Sequence, residues 1–290
     1  MKISELASVC GHQNGALRVS PSTLRTYRYA ATRLQWWLGR DGVVGELSAS
    51  DMLAFHVHLR DSCPEISTTT GNTIRRTLRG MVRRVGLPEL APPLRQLRAA
   101  PSTNRAMRDE HVRLLMAHAS VRDLAIIALL AMSGGRRGVV ANLRKENLRI
   151  WEGENGDWRL AARAISKNER EVLLLGGHEA ALAMSLWLSV QPCAASTSYV
   201  FTTDLGTPLR PQSVNSIFDR VARAAHLPAA ARTNPHSLRH RFALDKLSTH
   251  DAAMVAAWLG HSSPRVTLEI YGRPDEERLT AAFFGDPLPR

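Results

Sequence analysis

Residues 236–271 read HSLRHRFALDKLSTHDAAMVAAWLGHSSPRVTLEIY, and their apolar spacing predicts three helices, over about 237–248, 251–259 and 264–271. Gly260 stops the second of these, because glycine readily enters the left-handed conformation that ends a helix. Ser263 caps the third, with Pro264 at its first position. His236 and Arg239 are three apart and share one helix face. His261 follows the glycine stop, and Tyr271 comes ten residues after it.

Working outward, helices are expected over about 178–190 and 211–225, and before them the chain changes character. Leu148-Arg-Ile-Trp151, Trp158-Arg-Leu160 and Val172-Leu-Leu-Leu175 read as short strands separated by Gly and Asn turns. Lys167 lies in the turn Ile165-Ser-Lys-Asn-Glu169. Two helices, about 109–119 and 121–132, open this part of the chain. The second runs into Ser133-Gly-Gly-Arg136-Arg137, where the glycines let the backbone turn and project Arg136 from a helix start into a cleft. After Tyr271, the run Gly272, Arg273, Pro274 breaks the helix, and a last helix is expected near 275–284. Its acidic start suits a helix N-terminus, and Leu279, Ala282 and Phe283 give it one apolar face that Phe284 extends.

The first hundred residues form a separate, all-helical domain. Residues 1–19 show no strong period. Ser20-Pro21 opens a helix to about Leu38, and Ser48 with Asp51 resembles a capping box for a helix ending near Arg60. A third helix covers about Thr68–Val85, with Ile74, Leu78, Met81, Val82 and Val85 as its apolar stripe. Arg75, Arg79 and Arg83 are assigned to another face, flanked by Arg76 and Arg84. A face of five arginines without acids points to nucleic acid. Prolines 88, 92, 93 and 101 punctuate the next stretch, so the domains are placed at 1–98 and 107–290, with 99–106 as linker.

Composition narrows the class. The 290 residues are 44% hydrophobic and 22% charged, ordinary for a core-forming protein, and carry a net charge of +12, nearly all from arginine. Such a surface attracts phosphate backbones. The longest apolar run, Leu124–Met132, is too short for a bilayer span of about 20 residues. With no basic-then-apolar leader, a cytoplasmic location is expected, without membrane association. Cys10, Cys63 and Cys193 are widely spaced and read as reduced thiols.

The ordered set Arg136, Lys167, His236-x-x-Arg239, Leu259-Gly-His261 and Tyr271 resembles the tyrosine recombinase, or phage integrase, family over essentially all of residues 107–290. The resemblance implies a mainly α fold with a small antiparallel β-sheet. It comprises a helical N-terminal core-binding (SAM-like) domain and an α+β tyrosine recombinase catalytic domain, closing as a C-shaped clamp on duplex DNA. It carries over Arg136, Lys167, His236, Arg239, His261 and Tyr271 as the catalytic set, with Tyr271 as nucleophile. It also implies a specific double-stranded DNA site and self-association to a tetramer on two such sites. The apolar tail helix, with Phe283 as anchor, is expected to dock on a neighbouring protomer, the alternative being packing on its own catalytic domain. A core-binding helix starting near residue 21 suggests a simple, Xer-sized recombinase of bacterial type, nucleoid-associated when bound. Val139 stands where the family often has an acid, as does Ser237. The turn holding Lys167 looks about one residue short, and Lys145 is the nearby competitor for its role.

The chemistry suits these residue types. Attack on a phosphodiester builds charge on its non-bridging oxygens, which two guanidiniums can bind while staying charged. His261 would add another donor. A free tyrosine titrates at about 10, so the cationic pocket and His236 as base would favour its phenolate. Lys167 would protonate the leaving 5′-oxygen. The bond energy is kept in a 3′-phosphotyrosine, so no ATP, metal or other cofactor is called for. The chain has no Walker loop and no zinc-site spacing. The rival readings are a type IB topoisomerase-like nicking-closing enzyme, a catalytically silent DNA-binding relative and, more remotely, an arginine-rich RNA-binding protein.

Overall fold

Polar caps set where the helices begin. The Ser20 hydroxyl accepts from Thr23 N at 3.2 Å, which starts α2 (Pro21–Leu38). Ser48 and Asp51 form a reciprocal capping box that starts α3 (Ala49–Asp61). Ser67 caps α4 (Thr68–Arg84) in the same way as Ser20. The structure, a computed structural model, describes residues 1–13, 16, 17, 19–98, 106–165, 171–192, 194–228, 231 and 233–272. Lys167, Cys193, most of the expected linker and the expected tail helix with Phe283 and Phe284 lie outside them. The chain divides into two compact units, Met1–Ser102 and Thr103–Arg290.

The first unit contains a helix that its sequence did not announce. α1 (Ile3–Gly11) lies within the stretch read as aperiodic, and buries Ile3, Leu6, Ala7 and Cys10. These sit at i, i+3, i+4 and i+7, one helical stripe compressed into two turns. They join Ala30 and Leu34 of α2, Met52 and Phe55 of α3, and Ile74, Leu78 and Met81 of α4 in one core. After α1 a short antiparallel ladder joins β1 (His12–Gln13) to β2 (Ala16–Leu17).

The five-arginine face of α4 needs correcting. Arg75 is only 1% exposed. It lies on the same helical row as Gly71, Leu78 and Val82, all buried, because 71, 75, 78 and 82 recur at helical spacing. Its Nε donates to His56 Nδ1 at 3.1 Å and its Nη2 to the His56 carbonyl at 3.2 Å. Burial lowers its pKa and that of His56. Gly71 supplies the room, since a Cβ there would come within 2.7 Å of Arg75 Nη1. Arg84 stays exposed, with its Nη1 donating to the Cys10 carbonyl at 2.9 Å and the Tyr27 hydroxyl at 3.2 Å. Arg76, Arg79 and Arg83 keep surface positions on one face. Arg75→Ala should therefore cost about 2–5 kcal/mol, from a cavity plus an unpaired His56. Arg76→Ala should stay within about 0.5 kcal/mol. Urea unfolding of both variants tests this, and equal, small losses would contradict the buried placement.

The second unit is built around α6 (Val121–Ser133). Every residue from Ala125 to Ala131 in it is buried, the signature of a helix surrounded on all sides. α5 (Asp109–Ala117) precedes it, and the five-residue α7 (Arg137–Ala141) follows. Then come β3 (Leu148–Glu152), β4 (Trp158–Ile165) and β5 (Glu171–Gly176), an antiparallel meander in the order β3-β4-β5. Ala162 pairs with both Leu148 and Leu174, so Leu160, Ala162, Val172 and Leu174 share the buried face. α8 (His178–Val190) and α9 (Pro211–Ala224) complete the main core. α10 (Pro235–Leu247), α11 (Ala252–Leu259) and α12 (Pro264–Tyr271) follow the predicted order. Ser263 occupies the N-cap of α12 without a side-chain cap bond, which departs from the expected capping. Val139, where an acid was anticipated, is buried in the core of this unit. The fold is thus mainly helical with one small antiparallel sheet in the second unit. Among the described residues no helix is long and apolar enough to cross a membrane.

Candidate active site

The site forms where α6, α10, α11 and α12 end or begin. Gly134 terminates α6 at φ +60°, and a Cβ there would lie 2.4 Å from the Phe242 ring. Only glycine fits both constraints. The chain thus turns into α7 with Arg136 at its N-cap and its side chain exposed. Gly260 ends α11 at φ +62°, and a Cβ there would lie 2.8 Å from Val172, so sheet and helix end approach closely. Its carbonyl accepts from both Nη1 and Nη2 of Arg136 at 3.3 Å.

Arg239 ties these ends together. It is 5% exposed. Nη1 donates to the Gly134 carbonyl at 2.8 Å, and Nη2 donates to the Leu259 carbonyl at 2.8 Å and to His261 Nε2 at 2.8 Å. Its positive charge also acts on the nearby Tyr271 hydroxyl. Burial, with help from nearby Arg136, pulls its pKa down to about 10. Among the described residues, neither Arg136 nor Arg239 has a carboxylate in salt-bridge range. Two guanidiniums without an acid form an anion site whose charge awaits a partner.

The aromatic groups stack beside them. Tyr271 is 4% exposed, and the His261 ring lies parallel to it, 6.1 Å away with 7° between the planes. His240 meets Tyr271 edge-on at 5.0 Å, and its Nε2 is 3.0 Å from His236 Nε2. His240 therefore stands between the tyrosine and His236, a place the sequence reading did not give it. Burial raises the Tyr271 pKa, and the pull of Arg239 and Arg136 does not offset it. That reverses the expectation of a ready phenolate. His261 falls to about 4, through burial first and then Arg239 and Arg136. It is neutral at neutral pH, and its Nε2 accepts from a guanidinium that can only donate. In this resting arrangement His261 offers no donor at Nε2.

The structure thus brings Arg136, His236, Arg239, His261 and Tyr271 into one cluster. Lys167 falls between β4 and β5, outside the described residues. Lys145, its competitor, donates from Nζ to the Ala194 carbonyl at 2.6 Å. Sequence reasoning missed Thr267, fully buried, whose Oγ1 lies 2.8 Å from His261 Nδ1. Its position four residues before Tyr271, on the same helix face, was the available signal. Among the described residues no group of three or more His, Cys, Asp or Glu comes together as metal ligands.

Known proteins share this arrangement of elements. The model of the phage integrase family matches residues 105–278. The chain is 27% identical over 292 residues to tyrosine recombinase XerC of Pseudomonas entomophila (strain L48), covering 96% of this chain and 94% of that one. Tyrosine recombinase XerA of Thermococcus kodakarensis is 26% identical over 268 residues, covering 91% and 88%. Among solved structures, XerH site-specific recombinase bound to palindromic difH substrate superposes with a TM-score of 0.69 at 17% identity, over 97% of this chain and 84% of that one. A lambda integrase dimer bound to a COC′ core site gives 0.71 at 14% identity, over 95% and 79%. With the family model spanning more than half of its length, the chain belongs to the phage integrase family of tyrosine recombinases.

Proposed function

We propose that this protein is a site-specific DNA recombinase that cleaves and rejoins strands through a covalent 3′-phosphotyrosine at Tyr271. The observation that carries the reading is the pair of guanidiniums, Arg136 and Arg239, without an acid among the described residues, whose charges both act on a buried tyrosine. A scissile phosphate entering here supplies the missing negative charge. Arg136 and Arg239 bind its non-bridging oxygens and stabilise the five-coordinate state. The tyrosine oxygen attacks phosphorus and the bond to the 5′-oxygen breaks.

Because Tyr271 is held protonated at rest, the attack needs a base. His236 with His240 edge-on to the phenol fills that role. Lys167 gives the departing 5′-oxygen its proton. The ester so formed keeps the bond energy, and a 5′-hydroxyl from a partner strand reverses the step without ATP. Relatives whose solved structures contain DNA, such as XerH with difH, support a duplex DNA site as partner. Arg76 and Arg83, exposed, and Arg79, half-buried on the same face, are the proposed backbone contacts of the first unit. Exchange between two duplexes calls for four protomers, so tetramer assembly belongs to this reading.

A substrate with a 5′-bridging sulfur tests the reading and the role of Lys167 together. Sulfur leaves without a proton, so Lys167→Ala should cleave it at nearly the wild-type rate while failing on ordinary DNA. The arginine variants should gain nothing from the sulfur. If Lys167→Ala stays as slow on sulfur as on oxygen, Lys145 becomes the acid to test. If wild type forms no covalent adduct with any site-bearing duplex, the reading fails.

A further inference from the structure

Only two residues of α12 are buried, Thr267 and Tyr271, one turn apart. Tyr271 is already placed in the site. Thr267 has a β-branched side chain at 0% exposure whose oxygen contacts the second nitrogen of His261. The two contacts of that imidazole leave one assignment of its proton. Arg239 Nη2, 2.8 Å from Nε2, has no lone pair to offer, so Nε2 must be bare. The single proton of the neutral ring therefore sits on Nδ1 and is donated to Thr267 Oγ1 at 2.8 Å.

We propose that Thr267 is a positioning residue that stabilises the Nδ1-protonated tautomer of His261 that Arg239 selects. By accepting the Nδ1 proton it leaves Nε2 to hold one arm of the Arg239 guanidinium. Hydroxyl, imidazole and guanidinium then form one directed chain, Arg239 to His261 to Thr267. The chain also fixes the imidazole plane parallel to the Tyr271 ring. Without the hydroxyl, the buried Nδ1 proton loses its acceptor, which favours its move to Nε2, where it would point at the Arg239 donor. That repulsion pushes the fork off its aim. The inference rests on the reading of the site as a strand-cleaving centre, and assigns a part to a residue that touches no substrate atom.

The test joins a spectrum to a rate. Nitrogen-15 spectra of histidine-labelled full-length protein, with His261→Ala to assign the signals, should show His261 protonated at Nδ1 and bare at Nε2. Thr267→Ser should keep that signature, whereas the isosteric Thr267→Val should lose it. On nicked suicide duplex, Thr267→Val should form the covalent adduct about 10-fold more slowly, and Thr267→Ser should stay within about 3-fold of wild type. In a His261→Ala background, Thr267→Val should cost less than about 2-fold more, because its effect passes through the ring. A wild-type spectrum with the proton on Nε2 overturns the proposal and needs no variant to fold. So does an undiminished Thr267→Val penalty in the His261→Ala background, which would mark a purely structural role. The spectrum reads the tautomer without DNA, so a wild type that fails to cleave would sink the functional reading and leave this one standing on its own result.

Discussion

Tyr271→Phe should abolish covalent attachment to DNA while leaving duplex binding close to wild type. The substitution removes one oxygen from a side chain that is 4% exposed and keeps its ring against His240 and His261. The neighbouring Arg239 guanidinium keeps the Gly134 and Leu259 carbonyls as acceptors, so little packing is lost. A nicked suicide duplex traps the adduct, because the short fragment beyond the nick diffuses away and cannot reseal the strand. Wild type should give a denaturation-resistant species, and Tyr271→Phe none. An adduct of undiminished yield from the phenylalanine variant would move the nucleophile elsewhere.

Arg239→Lys should be the second most damaging change, and should differ in kind from Arg136→Lys. Each replaces a fork with a point charge and should slow cleavage by about 100-fold or more, the scale of losing a fixed transition-state donor. Arg239 also supplies donors to the buried carbonyls of Gly134 and Leu259. A lysine cannot reach both and Tyr271 together. Arg239→Lys should therefore lower stability as well, by about 1–3 kcal/mol for the carbonyls left unpaired. Arg136 is exposed and bonds the Gly260 carbonyl at a long 3.3 Å. Its lysine variant should cleave slowly yet unfold near the wild-type midpoint. Rates from the suicide duplex and urea midpoints from the same preparations decide it. Near-wild-type cleavage by both variants would remove the clamp.

The helical order and the sheet were legible because their signals are local. Serine caps at 20 and 48 and glycines at 134 and 260 each act within one turn. The cluster of Arg136, His236, Arg239, His261 and Tyr271 was legible through the ordered spacing of unlike polar residues. What escaped notice depends on the third dimension. Arg239 binds main-chain carbonyls, and every residue carries one, so no side-chain pattern announces the choice. Tyr271 was expected to ionise readily, but burial outweighs two neighbouring cations, and depth is not written in a string. Arg75 was set on a solvent face by its charge, although its row partners Gly71, Leu78 and Val82 already pointed inward. α1 went unread because two turns give a period little room to repeat.

The two buried side chains of α12 have a consequence for motion. Leu268 and Ile270 are about half exposed, at 50% and 52%, so this last described helix is moored by Thr267 and Tyr271. An element with so few buried contacts opens at a small fraction of the global unfolding free energy. In the proposed reaction the nucleophile is thus both reagent and anchor. A bond from its oxygen to phosphorus ties this lightly held helix to the DNA while the buried ring keeps its place. In that reaction, cleavage tethers the DNA to a weakly anchored element, and resealing the strand releases it.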